Sequence, residues 1–576
     1  MLRDFVTDIR NVYERINRGE EPSLHVFKEK WNIKRSIGEV YQNLCYKELK
    51  KQMGSFYTPH EIVDFMVKRA LEDVSLKENP YIRIADPSCG GGYFLISLFE
   101  HLVQKGRDEG LANVEEHVLQ NNLYGSDIDE NAVMITALEL YDRTGYVFKN
   151  IDKKDFLLDS KEKYDIIIGN PPYMGHKVLT GSYREELYRL YGEVFSDKGD
   201  ISYCFIKKSI DSLEDGGKLL FFTSRYLLEA LNGEKLRRYI KKSGTISTLI
   251  DFYGVRVIKG AGVDNMIMEF IKDEQGEKTH YFRLMEEAKG RGEEVFRDIK
   301  SWENIYSRHI SVDMQRMRDD RWMFLDELEE SILNKIKGVE LNTLCEGYQG
   351  IITGCDDAFV LKVDEAEALG IERDVLRPWI KNKNVEAFNV QPSDEVIIYS
   401  DLICCEEKYK NAISYIERFR DRLERRRECI NGRRKWYELQ WGRRPELFDD
   451  LKIIYPFKAS RNRFALDRGS YFSADVYAIK IRDMFINTIS YEFLLGILNS
   501  RIYEFYIKIM AKKLGDDIYE YYPNKIMTLK IPEYIPELEK EVIKKGDDLR
   551  DRLDSVLNKY FGITGEEYEI IKGWCK

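Results

Sequence analysis

Ile82-Arg83-Ile84-Ala85-Asp86-Pro87-Ser88-Cys89-Gly90-Gly91-Gly92-Tyr93-Phe94 is the stretch that decides the fold of this chain. An apolar run leads into three glycines, and an apolar helical pattern follows from Leu95. A strand, a glycine turn and a helix predict an α/β sheet with parallel strands. Glycines let a ligand approach the backbone and the N–H groups of the helix N-terminus. The spacing is not Gly-x-Gly-x-x-Gly, so it does not favour a pyrophosphate site, and a plain tight turn stays open.

Acidic residues close the next two predicted strands. Asp127 ends the strand that begins at Leu123, and Asp155 with Phe156 follows a third short strand. Ligands of open α/β sheets bind at the carboxyl ends of strands, where an acid accepts hydrogen bonds from ribose hydroxyls. A carboxylate beside an aromatic ring suits a purine. Each aspartate alone is more simply a solvated loop end, so it is their ordered series that indicates a nucleoside-bearing ligand.

A fourth strand, Tyr164-Asp165-Ile166-Ile167-Ile168-Gly169, stops abruptly at Asn170-Pro171-Pro172-Tyr173. Two consecutive prolines exclude a helix or a central strand and predict a rigid, extended loop. That loop offers an amide, the Pro171 carbonyl and an aromatic face. Two acceptors and a ring are suited to holding a planar, amino-bearing group. A proline-rich turn without function is the simpler alternative for this motif taken alone.

Upstream, Tyr57-Thr58-Pro59-His60-Glu61 predicts the start of a helix. Thr58 is expected as the N-cap, with Pro59 at the first helical position and Glu61 completing a capping box.

In this order, the motifs resemble the N6-adenine DNA methyltransferases of the gamma arrangement, in which cofactor motifs precede the catalytic one and a target-recognition domain follows. The resemblance implies a Rossmann-like class I methyltransferase α/β sheet, a C-terminal mixed α+β target-recognition domain, and S-adenosyl-L-methionine as cofactor. The implied cofactor-binding residues are Tyr57, Thr58, Asp86, Ser88, Gly90, Asp127, Asp155, Phe156 and Asn170. Among them, Asp127 would hold the ribose, and Asp155 and Phe156 the adenine.

The resemblance also implies the catalytic residues Asn170, Pro171, Pro172 and Tyr173. The target adenine would be flipped out of the duplex, because its amino group cannot otherwise reach the methyl group. Asn170 and the Pro171 carbonyl would accept from N6, and Tyr173 would stack on the base. Ile258 stands where the family often has a second aromatic residue, which puts a two-sided aromatic clamp in question.

The C-terminal half contains a local basic segment in a chain of net charge −10. Residues 418–463 hold fifteen Lys and Arg against seven Asp and Glu, with aromatic residues interleaved. Arginine binds phosphates and guanine edges, so this segment predicts contact with double-stranded DNA. Residues 424–428 are equally well explained as a solvated, salt-bridged helix face. The predicted DNA-binding residues are Arg433, Arg434, Lys435, Trp436, Trp441, Arg443, Lys458 and Arg461.

Motifs from about residue 50 to 530, among them Gln349-Gly350-Ile351-Ile352-Thr353-Gly354-Cys355-Asp356, are similar to the clostridial orphan adenine methyltransferases (CamA type). That resemblance implies a solitary enzyme that modifies one adenine of the asymmetric site CAAAAA, which suits a monomer without an obligate protein partner. We expect an N-terminal helical segment at 1–50, a catalytic domain at 51–330, target recognition at 335–535 and a C-terminal helical segment at 536–576.

Composition narrows the class of protein further. The nine cysteines and seven histidines show no zinc spacing, so no metal is expected. No signal peptide and no apolar run of about 18 residues is evident, which predicts a cytoplasmic, nucleoid-associated protein without membrane contact.

Two other functions stay open from the sequence. Protein (release-factor) and ribosomal RNA methyltransferases also carry an Asn-Pro-Pro-Tyr loop, although the basic domain after it favours a DNA substrate. A catalytically silent DNA-binding protein that keeps the methyltransferase fold is the alternative from a different class.

Overall fold

The computed structural model describes residues 1–20, 22–49, 58–175, 179, 181–196, 199–255, 264–273, 276, 278–514 and 517–575. Its internal contacts divide the chain into two units, Met1–Phe324 and Leu325–Lys576. Each unit is built around sheets of its own.

A nine-stranded mixed sheet forms the centre of the first unit, in the order β3-β2-β1-β4-β5-β7-β6-β8-β9. The strands from β3 to β5 are parallel neighbours, while β7 runs antiparallel between β5 and β6. The strands are β1 (Ile84–Asp86), β2 (Leu123–Asp127), β3 (Ile151–Lys153), β4 (Tyr164–Gly169), β5 (Leu213–Ser224), β6 (Gly244–Asp251), β7 (Asn265–Lys272), β8 (Thr279–Leu284) and β9 (Ser307–Val312).

Helices accompany this sheet, and apolar residues of its strands lie in two core clusters. They are α1 (Leu2–Asn17), α2 (Leu24–Lys30), α3 (Ile37–Leu49), α4 (His60–Ala70), α5 (Tyr93–Asp108), α6 (Val114–His117), α7 (Glu130–Thr144), α8 (Phe156–Asp159), α9 (Gly181–Tyr191), α10 (Ile201–Ser212), α11 (Glu234–Ser243) and α12 (Glu293–Ser301). A π-helix (Val118–Asn122) and 3-10 helices (Arg225–Leu228, Leu231–Gly233, Glu286–Ala288, Met314–Arg316) complete the unit.

Smaller sheets build the second unit. Two four-stranded sheets have the orders β11-β21-β17-β19 and β12-β16-β13-β20, and three strand pairs accompany them. The strands are β10 (Val339–Glu340), β11 (Cys345–Gln349), β12 (Val360–Lys362), β13 (Leu376–Ile380), β14 (Val385–Glu386), β15 (Asn389–Val390), β16 (Glu395–Ile398), β17 (Lys452–Pro456), β18 (Lys458–Ala459), β19 (Ala465–Asp467), β20 (Tyr471–Phe472), β21 (Val476–Ile481), β22 (Tyr519–Glu520) and β23 (Lys530–Ile531).

Short helices join these strands, and longer ones end the unit. They are α13 (Glu327–Lys335), α14 (Leu341–Leu344), α15 (Asp356–Phe359), α16 (Val363–Ala368), α17 (Lys410–Glu417), α18 (Arg420–Glu424), α19 (Arg427–Ile430), α20 (Glu446–Asp449), α21 (Tyr491–Asn499), α22 (Arg501–Met510), α23 (Pro523–Ile526), α24 (Pro536–Lys544), α25 (Leu549–Phe561) and α26 (Gly565–Trp574). The 3-10 helices are Arg373–Val375, Asn382–Asn384, Ser400–Leu402, Glu406–Lys408 and Asp483–Phe485.

The predicted α/β class, with a parallel sheet half and a mixed α+β second unit, is confirmed. No helix among the described residues is both long and apolar enough to span a bilayer. The capping prediction for Thr58 is wrong: α4 begins at His60 with Pro59 as its N-cap residue, and no side chain caps it. The Thr58 hydroxyl accepts a hydrogen bond from Asn170 instead.

Candidate active site

Several predicted site residues lie at one edge of the first unit's sheet. Asp86 ends β1, Asp127 ends β2, and Asn170 directly follows β4. Chain order reverses between β1 and β4, since β1 is followed in the sheet by β2 on one side and by β4 on the other. Such a switch point opens a crevice at the carboxyl ends of the strands, which is where ligands of open α/β sheets bind.

Asp86 is a buried carboxylate, 1% exposed, beneath the glycine turn. Its Oδ1 accepts from the Ser88 N–H at 3.1 Å. Gly169 makes room for it, because a Cβ there would lie 2.7 Å from Asp86 Oδ1. Burial, with a smaller contribution from the charge of Asp127, raises the pKa of Asp86 to about 8. A cation that binds near Asp86 would therefore lower this pKa and favour the ionised carboxylate.

Asp127 fixes the glycine turn. Its Oδ2 accepts from the Gly90 N–H and its Oδ1 from the Asp129 N–H, both at 2.9 Å. Gly92 adopts φ +82°, and a Cβ on it would lie 2.8 Å from the Thr136 hydroxyl oxygen. A side chain at Gly92 would meet both backbone strain and a collision. The three glycines thus allow the turn to pack closely against α7, and they also leave its backbone accessible to a ligand.

The catalytic loop candidate is held by residues from two other segments. Asn170 Nδ2 donates to Thr58 Oγ1 at 2.9 Å, and the Ser88 hydroxyl donates to the Asn170 carbonyl at 3.4 Å. Because an amide has one donor end and one acceptor end, the bond to Thr58 sets the rotation of the Asn170 side chain. The structure thus brings Thr58, Ser88 and Asn170 into contact.

Tyr173 lies partly buried at the end of the loop. Its hydroxyl contacts Asn170 Oδ1 and donates to the Phe222 carbonyl at 2.7 Å, in β5. Burial raises the pKa of Tyr173 well above its usual value, so the phenol stays protonated and able to donate. Pro171 is buried and Pro172 half-buried.

Asp200 supports this loop and was missed by the sequence analysis. It caps α10, accepting from the Ser202 N–H at 2.9 Å, and forms an isolated β-bridge with Gly175. The Ile201 N–H donates to the Met174 carbonyl at 3.0 Å. An aspartate two residues before a serine, at the start of an apolar helical run, is the N-cap signal that could have revealed it.

Asp155 and Phe156 lie beside Asp127, because the Lys154 N–H donates to the Asp127 carbonyl at 3.1 Å. The Asp155 carboxylate caps α8 and accepts from the Tyr183 hydroxyl at 2.8 Å. Phe156 is only 2% exposed and stacks on Phe205 in the core. The Asp155 carboxylate therefore lies at this edge of the sheet, whereas the Phe156 ring is buried in the core.

Ile128 is a further site candidate that was not predicted. It lies between Asp127 and Asp129 and is 67% exposed, an apolar side chain at the polar end of a strand. Its only sequence signal is an isoleucine between two aspartates. Two other predictions, on Tyr57 and Ile258, fall outside the described residues.

In the second unit, one basic loop between α19 and α20 carries most of the predicted DNA-binding residues. Arg434 Nη1 lies 3.0 Å from Asp401, and Lys435 Nζ donates to the Tyr437 hydroxyl at 2.8 Å. Asp401 also accepts from the Leu439 N–H at 3.1 Å. Asp401, which the sequence analysis did not identify, is thus the residue that fixes the shape of this loop.

The other predicted residues differ in exposure. Arg433 is exposed, Trp441 is 41% exposed, and Arg443 is exposed with φ +70°. The half-buried Trp436 ring packs edge-on against Tyr437.

Two more of these residues lie on or just after β18. Lys458 is exposed, with its ammonium 5.1 Å from the centre of the Phe457 ring, and Arg461 pairs with Glu386 at 3.3 Å.

Arg426 belongs to the segment for which a DNA contact and a solvated helix face were equally good interpretations, and it fits neither of them. It is 9% exposed, and its guanidinium donates to the carbonyl groups of Leu423, Thr353, Trp436 and Glu438. Arg420 and Glu424 form an exposed pair at 2.7 Å. Arg426 therefore holds the middle of the basic loop, at Trp436 and Glu438, to the unit's interior.

Two families match parts of this chain. Residues 121–258 match the Eco57I restriction-modification methylase family, and residues 378–531 match the TaqI-like C-terminal specificity domain. The first match contains Asp127, Asp155 and Asn170, and the second contains the basic loop.

Among curated proteins, the chain is similar to type II methyltransferases. It is 23% identical over 505 residues to M.BanIII of Aneurinibacillus aneurinilyticus, covering 78% of this chain and 84% of that protein. It is 24% identical over 541 residues to M.HincII of Haemophilus influenzae, covering 91% and 96%.

Among solved structures, the type IIL restriction-modification enzyme MmeI in complex with DNA has a TM-score of 0.66 at 14% identity, over 94% of this chain and 82% of MmeI. At that identity the likeness establishes the fold. The names of these relatives do not bear on the gamma arrangement or the orphan clostridial type. By its two family matches and its relatives, the chain is similar over most of its length to the methyltransferases of type II restriction-modification systems.

Proposed function

We propose that this chain transfers a methyl group from S-adenosyl-L-methionine to N6 of an adenine in double-stranded DNA. One observation carries the choice of an amino group as the target. The Asn170 amide is held by Thr58 at the carboxyl end of β4, in a loop that also presents the Pro171 carbonyl and the Tyr173 ring.

The residues at the sheet edge fit this cofactor. A protonated, buried Asp86 beside Asp127 favours a ligand that brings positive charge, and the cofactor has a sulfonium and an ammonium group. Asp127 is the acid for the ribose hydroxyls, and the exposed side chain of Ile128 offers an apolar surface for a purine face. Asp155 is the acceptor proposed for the purine amino group, while Ser88 and Gly90 line the turn.

When bound, the cofactor supplies a methyl group on a positively charged sulfur. Asn170 Oδ1 and the Pro171 carbonyl accept the two N6 hydrogens and so favour a pyramidal nitrogen with an available lone pair. The cofactor would supply the methyl group and keep the electrons of its C–S bond, and the proton given up by N6 would pass to solvent, while Asn170 and the Pro171 carbonyl orient the nitrogen. In this mechanism, positioning and polarisation of the amino group accelerate the transfer, and no covalent enzyme intermediate forms.

Tyr173 takes part through its ring and through its hydroxyl. A single hydroxyl hydrogen serves one acceptor at a time, and both Asn170 Oδ1 and the Phe222 carbonyl are within reach. When the target amine donates to Asn170, the bond to Phe222 keeps the Tyr173 ring in place for stacking on a flipped base.

The second unit supplies the DNA contacts in this proposal. Arg433, Trp441 and Arg443 are exposed on a loop whose shape Asp401 fixes, and Arg443 also donates to the Gly350 carbonyl at 3.4 Å. Arg434 and Lys435 contact Asp401 and Tyr437 within the unit. Exposed arginines bind phosphates or guanine edges, and an exposed indole packs on sugar or base.

Finer features follow from the resemblance alone. We propose an asymmetric A-rich recognition site, CAAAAA, a solitary monomeric enzyme of the gamma arrangement, and a location on the cytoplasmic nucleoid. We also retain the division at 1–50, 51–330, 335–535 and 536–576 as functional segments.

Methylation mapping tests the proposal. Long-read sequencing of DNA from cells that express the chain should show one adenine motif that is absent without it. Asn170→Ala should lower the methylation rate about 10²–10³-fold, because a polarising acceptor is lost, and should weaken cofactor binding by far less than that. Asn79→Ala, which changes an exposed asparagine of the same unit, is the matched control.

Each outcome discriminates between functions. Wild-type methylation by Asn170→Ala would overturn the catalytic assignment. Cofactor binding without methylation of any duplex would favour a silent DNA-binding protein. Methylation of RNA or of a release factor in place of DNA would favour the other proteins with this loop.

A further inference from the structure

The N-terminal helical segment packs directly on the helix behind the cofactor site. Its buried apolar residues share one cluster with α7; the cluster comprises Phe5, Ile9, Ile16, Leu24, Phe27, Ile37, Leu44, Met134, Ile135 and Leu138. Arg10 Nη2 pairs with Glu130 at 3.0 Å on the same helix. Residues 1–49 therefore complete the core against α7, whose first turn adjoins Asp127.

The start of α3 is pinned at one point of α7. Glu139 is 1% exposed, and its Oε1 accepts from the Ile37 N–H at 2.5 Å and from the Gly38 N–H at 3.4 Å. Arg143 donates to the other carboxylate oxygen at 2.7 Å. A buried carboxylate with this set of donors holds the backbone at Gly38 firmly, because moving either group would leave the charge unsatisfied.

At that point, Gly38 touches the glycine turn of the cofactor site. A Cβ on Gly38 would lie 3.0 Å from both the Cα and the carbonyl oxygen of Gly91, and one on Gly91 would lie 3.2 Å from the Cα of Gly38. Both obstacles are backbone atoms, so they cannot rotate away as the end of a side chain could. A side chain at position 38 therefore requires the turn or the start of α3 to shift by a few tenths of an ångström.

One turn further along α3, Tyr41 reaches the acids of the site. Its hydroxyl donates to Asp129 Oδ2 at 2.6 Å and accepts from Asn131 Nδ2 at 3.3 Å. The Asp129 N–H donates to Asp127 Oδ1, whose other oxygen accepts from Gly90. Tyr41 is thus linked through two aspartates to the same turn that Gly38 contacts.

We propose that residues 36–41 are a positioning element of the cofactor site, with Gly38 setting the path of the 90–92 turn and Tyr41 the orientation of Asp129 and Asp127. This inference rests on the proposed function. Neither residue touches the reacting atoms, so their loss changes how tightly the cofactor is held and leaves the chemistry of a saturated site intact.

Three substitutions test it in the full-length chain. Gly38→Ala and Gly38→Val add increasing bulk against Gly91, and we expect a graded rise in the Kd for S-adenosyl-L-methionine, reaching tenfold or more for valine. Tyr41→Phe removes only the hydroxyl, and we expect a several-fold rise. KM for the cofactor should rise in parallel, while kcat at saturating cofactor and the affinity for DNA stay within twofold of wild type.

Tyr13→Phe is the matched control, since Tyr13 lies in α1 of the same segment and its hydroxyl has no hydrogen-bond partner among the described residues. If wild type failed to bind S-adenosyl-L-methionine in calorimetry, the proposed function itself would be at fault. If wild type bound it and all three variants matched its Kd, the positioning role would be refuted. A fall in kcat at saturating cofactor, without a change in KM, would refute it too.

Discussion

Burial, more than the residues adjacent in sequence, determines the pKa of the Asp86 side chain in this site. Asp86 lies under the glycine turn, and burial raises its pKa to about 8, whereas an exposed aspartate titrates near 4. At neutral pH the carboxyl group of the free protein is therefore mostly protonated. A ligand cation near the 86–92 turn would favour the ionised form and lower that pKa.

Proton release on cofactor binding follows from this. The free protein holds the Asp86 proton below about pH 8, and we expect the positively charged cofactor to displace it. Affinity for S-adenosyl-L-methionine should then rise with pH up to about 8 and level off. Calorimetry at pH 7 in buffers of different ionisation enthalpy should detect the release.

Asp86→Asn should abolish this release and flatten the pH dependence of the affinity. Asp152→Asn, at an exposed aspartate of the same sheet, should leave both unchanged. Equal proton release by wild type and Asp86→Asn would show that another group titrates.

Secondary-structure elements were predictable where a strand stops at a chemically distinctive residue. The ends of three strands, at Asp86, Asp127 and just before Asn170, were predicted correctly. An apolar run that gives way to a polar residue is a local pattern and can be recognised in the sequence. Thr58 was misassigned because a cap and a distant amide compete for the same hydroxyl, and the sequence does not show the amide. The role of residues 36–41 was invisible for a related reason: packing of two glycines across 53 positions leaves no local pattern.

A buried ion pair joins β5 to β6 at the same edge of the sheet. Arg225, 3% exposed, donates to both carboxylate oxygens of Asp251, at 2.8 and 3.1 Å. Asp251 is fully buried and also accepts from the Tyr253 N–H and the Tyr281 hydroxyl. Arg225 also pairs with Glu229 at 2.8 Å, so removing Asp251 leaves Arg225 with one carboxylate in place of two and deprives the Tyr281 hydroxyl of a charged acceptor.

We therefore expect Asp251→Asn to cost about 3 kcal/mol of the free energy of unfolding, the lower end of the range for a broken buried pair, because Glu229 stays beside Arg225. Hydrogen exchange of β5 and β6 amides across a urea series measures the loss within this unit. Glu234→Gln removes an exposed partner of Arg238, 2.8 Å away, and should cost far less because solvent screens that pair. Equal protection of β5 and β6 in both variants would contradict this account.

Positive charge is concentrated in one segment of the second unit, which argues for a local DNA-binding surface. A net charge of −10 gives no general attraction for a polyanion, while residues 418–463 alone carry a net of about +8. Arg426 and Arg434 contact Thr353 and Asp401 within the second unit. The number of basic residues in the segment is therefore larger than the number available to bind DNA. Exposure in the structure leaves Arg433, Trp441 and Arg443 as the strongest candidates.

Salt dependence of binding can separate these roles. Each phosphate contact contributes about −0.9 to the slope of log K against log salt concentration, so Arg433→Ala should make the slope shallower by about 1 if Arg433 binds a phosphate. Trp441→Ala should weaken binding with little change in slope, because an indole releases no counterions. Arg373→Ala removes a 90% exposed arginine of the same unit and should change neither quantity. An unchanged slope and affinity in Arg433→Ala would place the phosphate contacts elsewhere on the unit.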